Sequence, residues 1–143
     1  MKNNFLTEEQ KNKYNNDGAI IIRNVFEPWI DSLRKGFDKV LTNPGPYARE
    51  NVKTKDQGRF FEDYCNWARI PEFKKCIEES PAAQIVAEAT GSKSIQLFHE
   101  HIFVKDPGTV KDTPWHQDMP YYCLDGNDTG SFWIPLDPIT KDN

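Results

Sequence analysis

The sequence predicts a mainly β fold, a sandwich or barrel buttressed on one face by helices, on three grounds. Helical spacings fill the first part of the chain. Period-two alternation then begins after Ser94, with Ile95 and Leu97, then Phe98, Glu100, Ile102 and Val104 set against His99, His101, Phe103 and Lys105. Two later segments, around Trp115-His116-Gln117-Asp118 and through Phe132-Trp133-Ile134-Pro135-Leu136, read as further strands. Helices first and strands late suggest one layered domain over residues 1–143, with a helical segment and first strands over 1–93 and motif-bearing strands over 94–143. A few strands alone leave open edges, so the fold is expected to be incomplete in this chain, with a homo-oligomer formed through those edges as one outcome.

Each element has a local reason. Thr7 followed by Gln10 is a capping box, and Leu6, Gln10 and Tyr14 keep helical spacing until Asp17-Gly18 stops it. Ala19-Ile-Ile-Ile22, four apolar residues between turn formers, is expected to be a strand. Pro28 opens a second helix to Thr42, with Trp29, Leu33, Phe37 and Val40 or Leu41 on one face. The polar stretch Tyr47 to Gly58 reads as a surface loop, and Arg59-Phe60-Phe61 with Tyr64 and Trp67 as an aromatic patch. Pro71 and Pro81 open two more helices, around Phe73 and Ile77 and through Ile85, Val86 and Ala89, the last closed by Gly91.

Composition excludes several classes. A formal charge of -4, a pI near 5.4 and a mean hydropathy of -0.76 describe an acidic chain without the basic excess that holds a phosphate backbone, so nucleic acid is not an expected partner. No segment approaches the roughly 20 apolar residues of a membrane span, and the opening lacks an apolar signal core; a cytoplasmic protein is expected. Cys65, Cys76 and Cys123 are too widely spaced for a zinc-like Cys-x-x-Cys and are expected to be reduced, buried thiols.

The chemistry concentrates at His116 and Asp118. Two residues apart on a strand, an imidazole and a carboxylate project to one face and reach one ion without bending the backbone. Nitrogen plus carboxylate oxygen with open positions is the facial arrangement of non-haem Fe(II) oxygenases, which needs a third protein ligand. No His follows His116. His99 and His101 form a second same-face pair, and a zinc hydrolase built on His99, His101 and His116 is the competing metal reading. The parity of Phe98, Ile102 and Val104 turns the odd positions away from the core, which favours packing or surface roles for those two histidines. Tyr121 and Tyr122 are candidates for a substrate wall or for strand packing. Lys105 and Arg59 read by default as an exposed lysine and a cap on the fold edge, and Asp125 to Gly130 as a polar hairpin without calcium-loop spacing.

With these residues in place the chain resembles the phytanoyl-CoA dioxygenase family of Fe(II)/2-oxoglutarate-dependent oxygenases over its whole length. The likeness lies in Leu6-Thr-Glu-Glu-Gln10 through Asp17-Gly18 to Phe26, in Leu97-Phe-His-Glu-His-Ile-Phe-Val-Lys105 with Pro107-Gly108, in Thr113-Pro-Trp-His-Gln-Asp118 with Tyr121 and Tyr122, and in Phe132-Trp-Ile-Pro-Leu-Asp137. The resemblance implies a double-stranded β-helix, the cupin-like jelly roll. It also implies a dioxygenase with Fe(II) as cofactor, 2-oxoglutarate as co-substrate and a small molecule as substrate. His116 and Asp118 match two catalytic metal ligands, Trp133 an aromatic lining the 2-oxoglutarate pocket, and Ile102 a side chain packing on that co-substrate. The family pattern continues to a second His and then an Arg that pairs with the far carboxylate of 2-oxoglutarate, whereas this chain ends at Asn143. An amino-terminal half-domain, poorly active alone, is therefore expected. The alternative from another class is a noncatalytic jelly-roll module that self-associates.

Overall fold

The computed structural model describes residues 4–51, 58–126 and 128–141. Four helices and one small sheet make up its regular structure: α1 (Glu8–Asp17), α2 (Ile30–Thr42), β1 (Arg49–Glu50), β2 (Phe60–Tyr64), α3 (Pro71–Glu79), α4 (Ala82–Thr90) and β3 (His101–Lys105). Short 3-10 turns at Glu27–Trp29 and Met119–Tyr121 complete it.

The helices begin and end where local chemistry directs. Thr7 accepts from the Gln10 backbone at 3.1 Å while Gln10 Oε1 accepts from the Thr7 backbone at 2.9 Å, so two orphan donors of α1 are satisfied reciprocally. Gly18 and Gly91 close α1 and α4 at φ of 75 and 70 degrees, a left-handed conformation that glycine adopts without strain. Pro71 starts α3, whereas Pro28 sits in the 3-10 turn and α2 proper begins at Ile30. The backbone amides of Phe5 and Leu6 both donate to Glu88 of α4, at 2.9 and 2.8 Å, which ties the chain start to α4.

The three strands are antiparallel in the order β1-β2-β3, with Tyr64 opposite His101 and Phe60 opposite Lys105. Alternation sorts their side chains. Phe61 and Ile102 join Val40 of α2 and Ile70 and Phe73 beside and on α3 in the buried core, with Leu33, Phe37, Leu41, Ala48 and Trp67 packed around them. His101, Phe103 and Lys105 remain exposed on the other side. Helices α2 and α3 meet closely at Gly36: a Cβ there would stand 2.4 Å from Cε1 of Phe73, so only glycine leaves room for that ring.

Several expectations are corrected. The predicted sandwich is, among the described residues, a single three-stranded sheet with helices on one face, and helix exceeds strand. Ala19–Ile22, the segment around His116 and Phe132–Leu136 form no strands, because an extended segment becomes a strand only when a neighbour satisfies its ladder hydrogen bonds. The alternation from Ile95 yields ladder pairing at His101–Lys105 alone. Conversely, the aromatic patch at Phe60 to Tyr64 is the central strand, and Arg49–Glu50, expected in a loop, is β1; residues 52–57 of that loop lie outside the described residues. Cys76 is buried as expected, but Cys65 and Cys123 are exposed; all three are free.

A buried polar knot fixes the end of the sheet from which His99 and His101 project. Asp63 and Asn66 are both 0 % exposed. Asp63 accepts from the Gly45 backbone at 2.7 Å and from Tyr64 at 2.8 Å, and Asn66 Oδ1 accepts from Arg69 Nε at 2.7 Å. Cys65 takes φ 58 degrees, and the reversed chain then aims the amides of Asn66 and Trp67 at the Glu100 carboxylate, the latter at 3.1 Å.

Burial pushes the Glu100 carboxyl above its ordinary 4.5, against the pull of those amides. A raised folded-state value means that the folded chain binds the proton more tightly than the unfolded one. Its favourable contribution is therefore complete below about pH 4.5 and is lost as pH rises through the folded value. Glu100→Gln, which does not titrate, is expected to be less stable than the unsubstituted chain by a margin greatest below about pH 4.5 and smaller at pH 7. Urea melts of both chains at the two pH values measure that margin; a margin that grows with pH contradicts the assignment.

Candidate metal site

Beyond β3 the chain turns at Asp106 and Pro107 and returns across the sheet. Thr109 Oγ1 donates to the Arg59 carbonyl at 2.8 Å, and Lys105 Nζ, which lies 4.6 Å from the centre of the Phe60 ring, donates to Thr113 Oγ1 at 2.9 Å. These contacts bring the Pro114 to Tyr122 segment beside the strand. Lys105 is thus a tether for the motif segment as well as an exposed lysine. Arg59 is paired with Glu50 at 2.8 Å and lies over Phe61 at 4.6 Å, as a cap on the sheet edge would.

His116 and Asp118 converge even without a strand beneath them. His116 Nε2 lies 3.1 Å from Asp118 Oδ1, and both residues are exposed. Asp118 also begins the 3-10 turn, its carbonyl accepting from Tyr121 at 2.9 Å. His116 Nδ1 lies 2.8 Å from the Pro114 carbonyl, and a carbonyl only accepts, so Nδ1 carries the hydrogen. In a neutral ring Nε2 then presents its lone pair to a carboxylate oxygen. Two lone pairs at that distance call for a proton or a cation between them, and a carbonyl-anchored ring is the usual state of a metal-ligating histidine.

The donor set fits a first-row divalent metal in kind, one imidazole nitrogen and one carboxylate oxygen, but stops at two. Among the described residues no group of three His, Cys, Asp or Glu side chains is placed to hold a metal ion. The trio His99, His101 and His116 required by the zinc reading is therefore not assembled. His101 instead stacks on Tyr64, ring centres 4.0 Å apart and planes at 13 degrees, with Glu62 Oε2 at 3.6 Å from its Nε2. Burial in that stack pushes its pKa down while Glu62 pulls it up. His99 packs against Phe98, Tyr122 and Tyr64 at 4.7, 5.7 and 5.8 Å. Both histidines have the packing roles that strand parity indicated.

The other two expected site residues lie in contrasting surroundings. Ile102 is 5 % exposed within the helix-side core, on the face of β3 opposite His101, while Trp133 is 64 % exposed, next to a Phe132 that packs edge-on against Phe26 at 5.3 Å. Two open concavities lie elsewhere, one between α2 and Arg69 and one beside α1. Tyr122, a candidate for the substrate wall by sequence, makes a bond to Asp118 that the sequence did not indicate. Its hydroxyl donates to Asp118 Oδ2 at 3.3 Å, and its only signal was a tyrosine four residues past the carboxylate. Tyr121 and His116 stand nearly perpendicular, with 6.2 Å between ring centres.

Sheet and site together define a helix-backed antiparallel sheet beside which His116 and Asp118 of a His-x-Asp segment converge. A family model of phytanoyl-CoA dioxygenase matches residues 14–143, nearly the whole chain, and the chain belongs to that family. Membership supports a dioxygenase, an oxidoreductase, at family level, and implies a cupin-like fold. No curated protein and no solved structure matches the chain. Among the described residues no helix is long and apolar enough to cross a membrane.

Proposed function

We propose that the chain is an Fe(II)/2-oxoglutarate-dependent hydroxylase that acts on a small molecule in the cytoplasm, with His116 Nε2 and Asp118 Oδ1 as two metal ligands. The observation that carries the reading is their 3.1 Å convergence, inside a segment matched by the family model. Bound iron would supply the activation of dioxygen, with one oxygen atom going to a substrate C–H bond and the other to 2-oxoglutarate, which leaves as succinate and CO2. The protein's part is positional: Pro114 fixes the tautomer of His116, Lys105 tethers the motif segment to β3, and the rings of Tyr121, Tyr122 and His99 border the place where a substrate would lie. Trp133 is the co-substrate wall in this reading, whereas Ile102, read from the sequence as packing on the co-substrate, is seated in the helix-side core on the opposite face of β3.

Two protein ligands hold iron weakly, and among the described residues none placed beside the pair is an arginine that would take the far carboxylate of 2-oxoglutarate. Leaving such a charge unpaired forgoes an interaction worth about 3–5 kcal/mol where the pair is buried, and less at a site as exposed as this one. With ferrous iron, ascorbate and 2-oxoglutarate the chain is therefore expected to release succinate and CO2 in equal amounts, below the ordinary enzyme range of about 1 to 1000 per second. Absence of any iron-dependent release would overturn the oxygenase reading. Turnover within the ordinary range would overturn the argument from ligand number.

Among the described residues β3 lies at the edge of the sheet, which favours one further reading, association of two copies through that strand. Light scattering on a size-exclusion column is expected to give a dimer mass at high concentration; a monomer at every concentration would remove it.

A further inference from the structure

Tyr122 is half-buried; its hydroxyl can donate only one hydrogen, and the Asp118 carboxylate only accepts. The hydrogen therefore goes to Asp118 Oδ2, at 3.3 Å. The other carboxylate oxygen, Oδ1, is the one 3.1 Å from His116 Nε2. The phenol ring is held in turn: it meets Phe98 at 5.1 Å and His99 at 5.7 Å, both edge-on, just before β3. His99 and Tyr64 are 5.8 Å apart, and Tyr64 is in the sheet. A continuous run of rings thus leads from the sheet to one oxygen of a carboxylate in an otherwise exposed segment.

We propose that Tyr122 is a positioning residue for the metal carboxylate, engaging Oδ2 of Asp118 so that Oδ1 alone is offered to the ion beside His116 Nε2. The proposal rests on the metal reading of His116 and Asp118. Outer-shell partners of this kind orient a ligand and exclude the chelating mode that would use both oxygens; removing one typically weakens metal affinity about 10- to 100-fold. The ring and the hydroxyl have separable duties, since Phe at this position keeps the contacts with Phe98 and His99 and loses only the bond to Asp118.

The test is Mn(II) titration of the full chain, followed by paramagnetic broadening of the His116 ring signals, for the unsubstituted protein, Tyr122→Phe and Tyr47→Phe. Tyr47 is 58 % exposed and serves as the surface control. Tyr122→Phe is expected to need about 10- to 100-fold more Mn(II) for the same broadening, with unchanged circular dichroism and melting temperature, while Tyr47→Phe titrates like the parent. Equal affinity in Tyr122→Phe and parent would overturn the positioning role and leave the proposed function standing. Absence of His116 broadening in the parent at millimolar Mn(II) would overturn the metal site and the positioning role with it. A Tyr122→Phe chain with lowered melting temperature and unchanged affinity would assign the hydroxyl a purely structural part.

Discussion

Replacing Asp63 by alanine is expected to remove about 3–5 kcal/mol of folding free energy, a large share of the roughly 5–15 kcal/mol available to a domain of this size. The carboxylate is wholly buried and accepts from the amides of Gly45 and Tyr64, with Arg69 Nη2 at 3.9 Å. Deleting it strands two part-buried donors, each costing up to about 1–3 kcal/mol, and leaves Arg69 without that carboxylate. A long, half-exposed ion pair contributes little by itself, so the amide bonds dominate. Chemical denaturation of Asp63→Ala beside a control such as Asp128→Ala measures the loss. A difference under about 1 kcal/mol would show that the knot reorganises around water. The consequence reaches function, because the knot sits at the junction of β2 with the turn that Glu100 holds, and His99 and His101 flank Glu100.

His116→Ala is the second large effect, and its expected signature is the inverse. His116 is exposed and its polar contacts are local, to Pro114 and Asp118, so the melting temperature should hardly move, with a stability change within about 0.5 kcal/mol. Metal affinity should fall by at least about 100-fold, more than an outer-shell loss, because one of two donors is gone. Mn(II) titration monitored at the remaining site residues separates the two quantities. Unchanged affinity would move the metal away from this pair; a collapse in stability would make His116 a structural residue. Iron-dependent succinate release should vanish in the same variant.

What was legible before the structure is what depends on near neighbours. The α1 capping box needs only Thr7 and Gln10, and Gly18 and Gly91 mark helix ends by their own φ preference. Likewise Pro71 opens α3, and alternation alone turned Ile102 inward and His101 outward. The two motif residues were also legible, since a spacing of two lets side chains meet: Nε2 and Oδ1 converge although the expected strand is absent. Ala19–Ile22 and Phe132–Leu136 misled because a strand is a property of pairs, and composition does not state which segment will supply the ladder.

The sequence by itself determined the ends of α1 and α4, the start of α3, the inward face of β3 and the identity of the His116–Asp118 pair, because each follows from residues within about four positions of one another. Tertiary structure alone decided that Phe60 to Tyr64 is the central strand, that Asp63 and Asn66 are buried, and that Glu100 holds a turn 34 residues away. It also decided that Tyr122, packed on the Phe98 and His99 rings, reaches back to Asp118. These facts depend on which distant segments exclude water from one another, and that choice is made by packing of the whole chain.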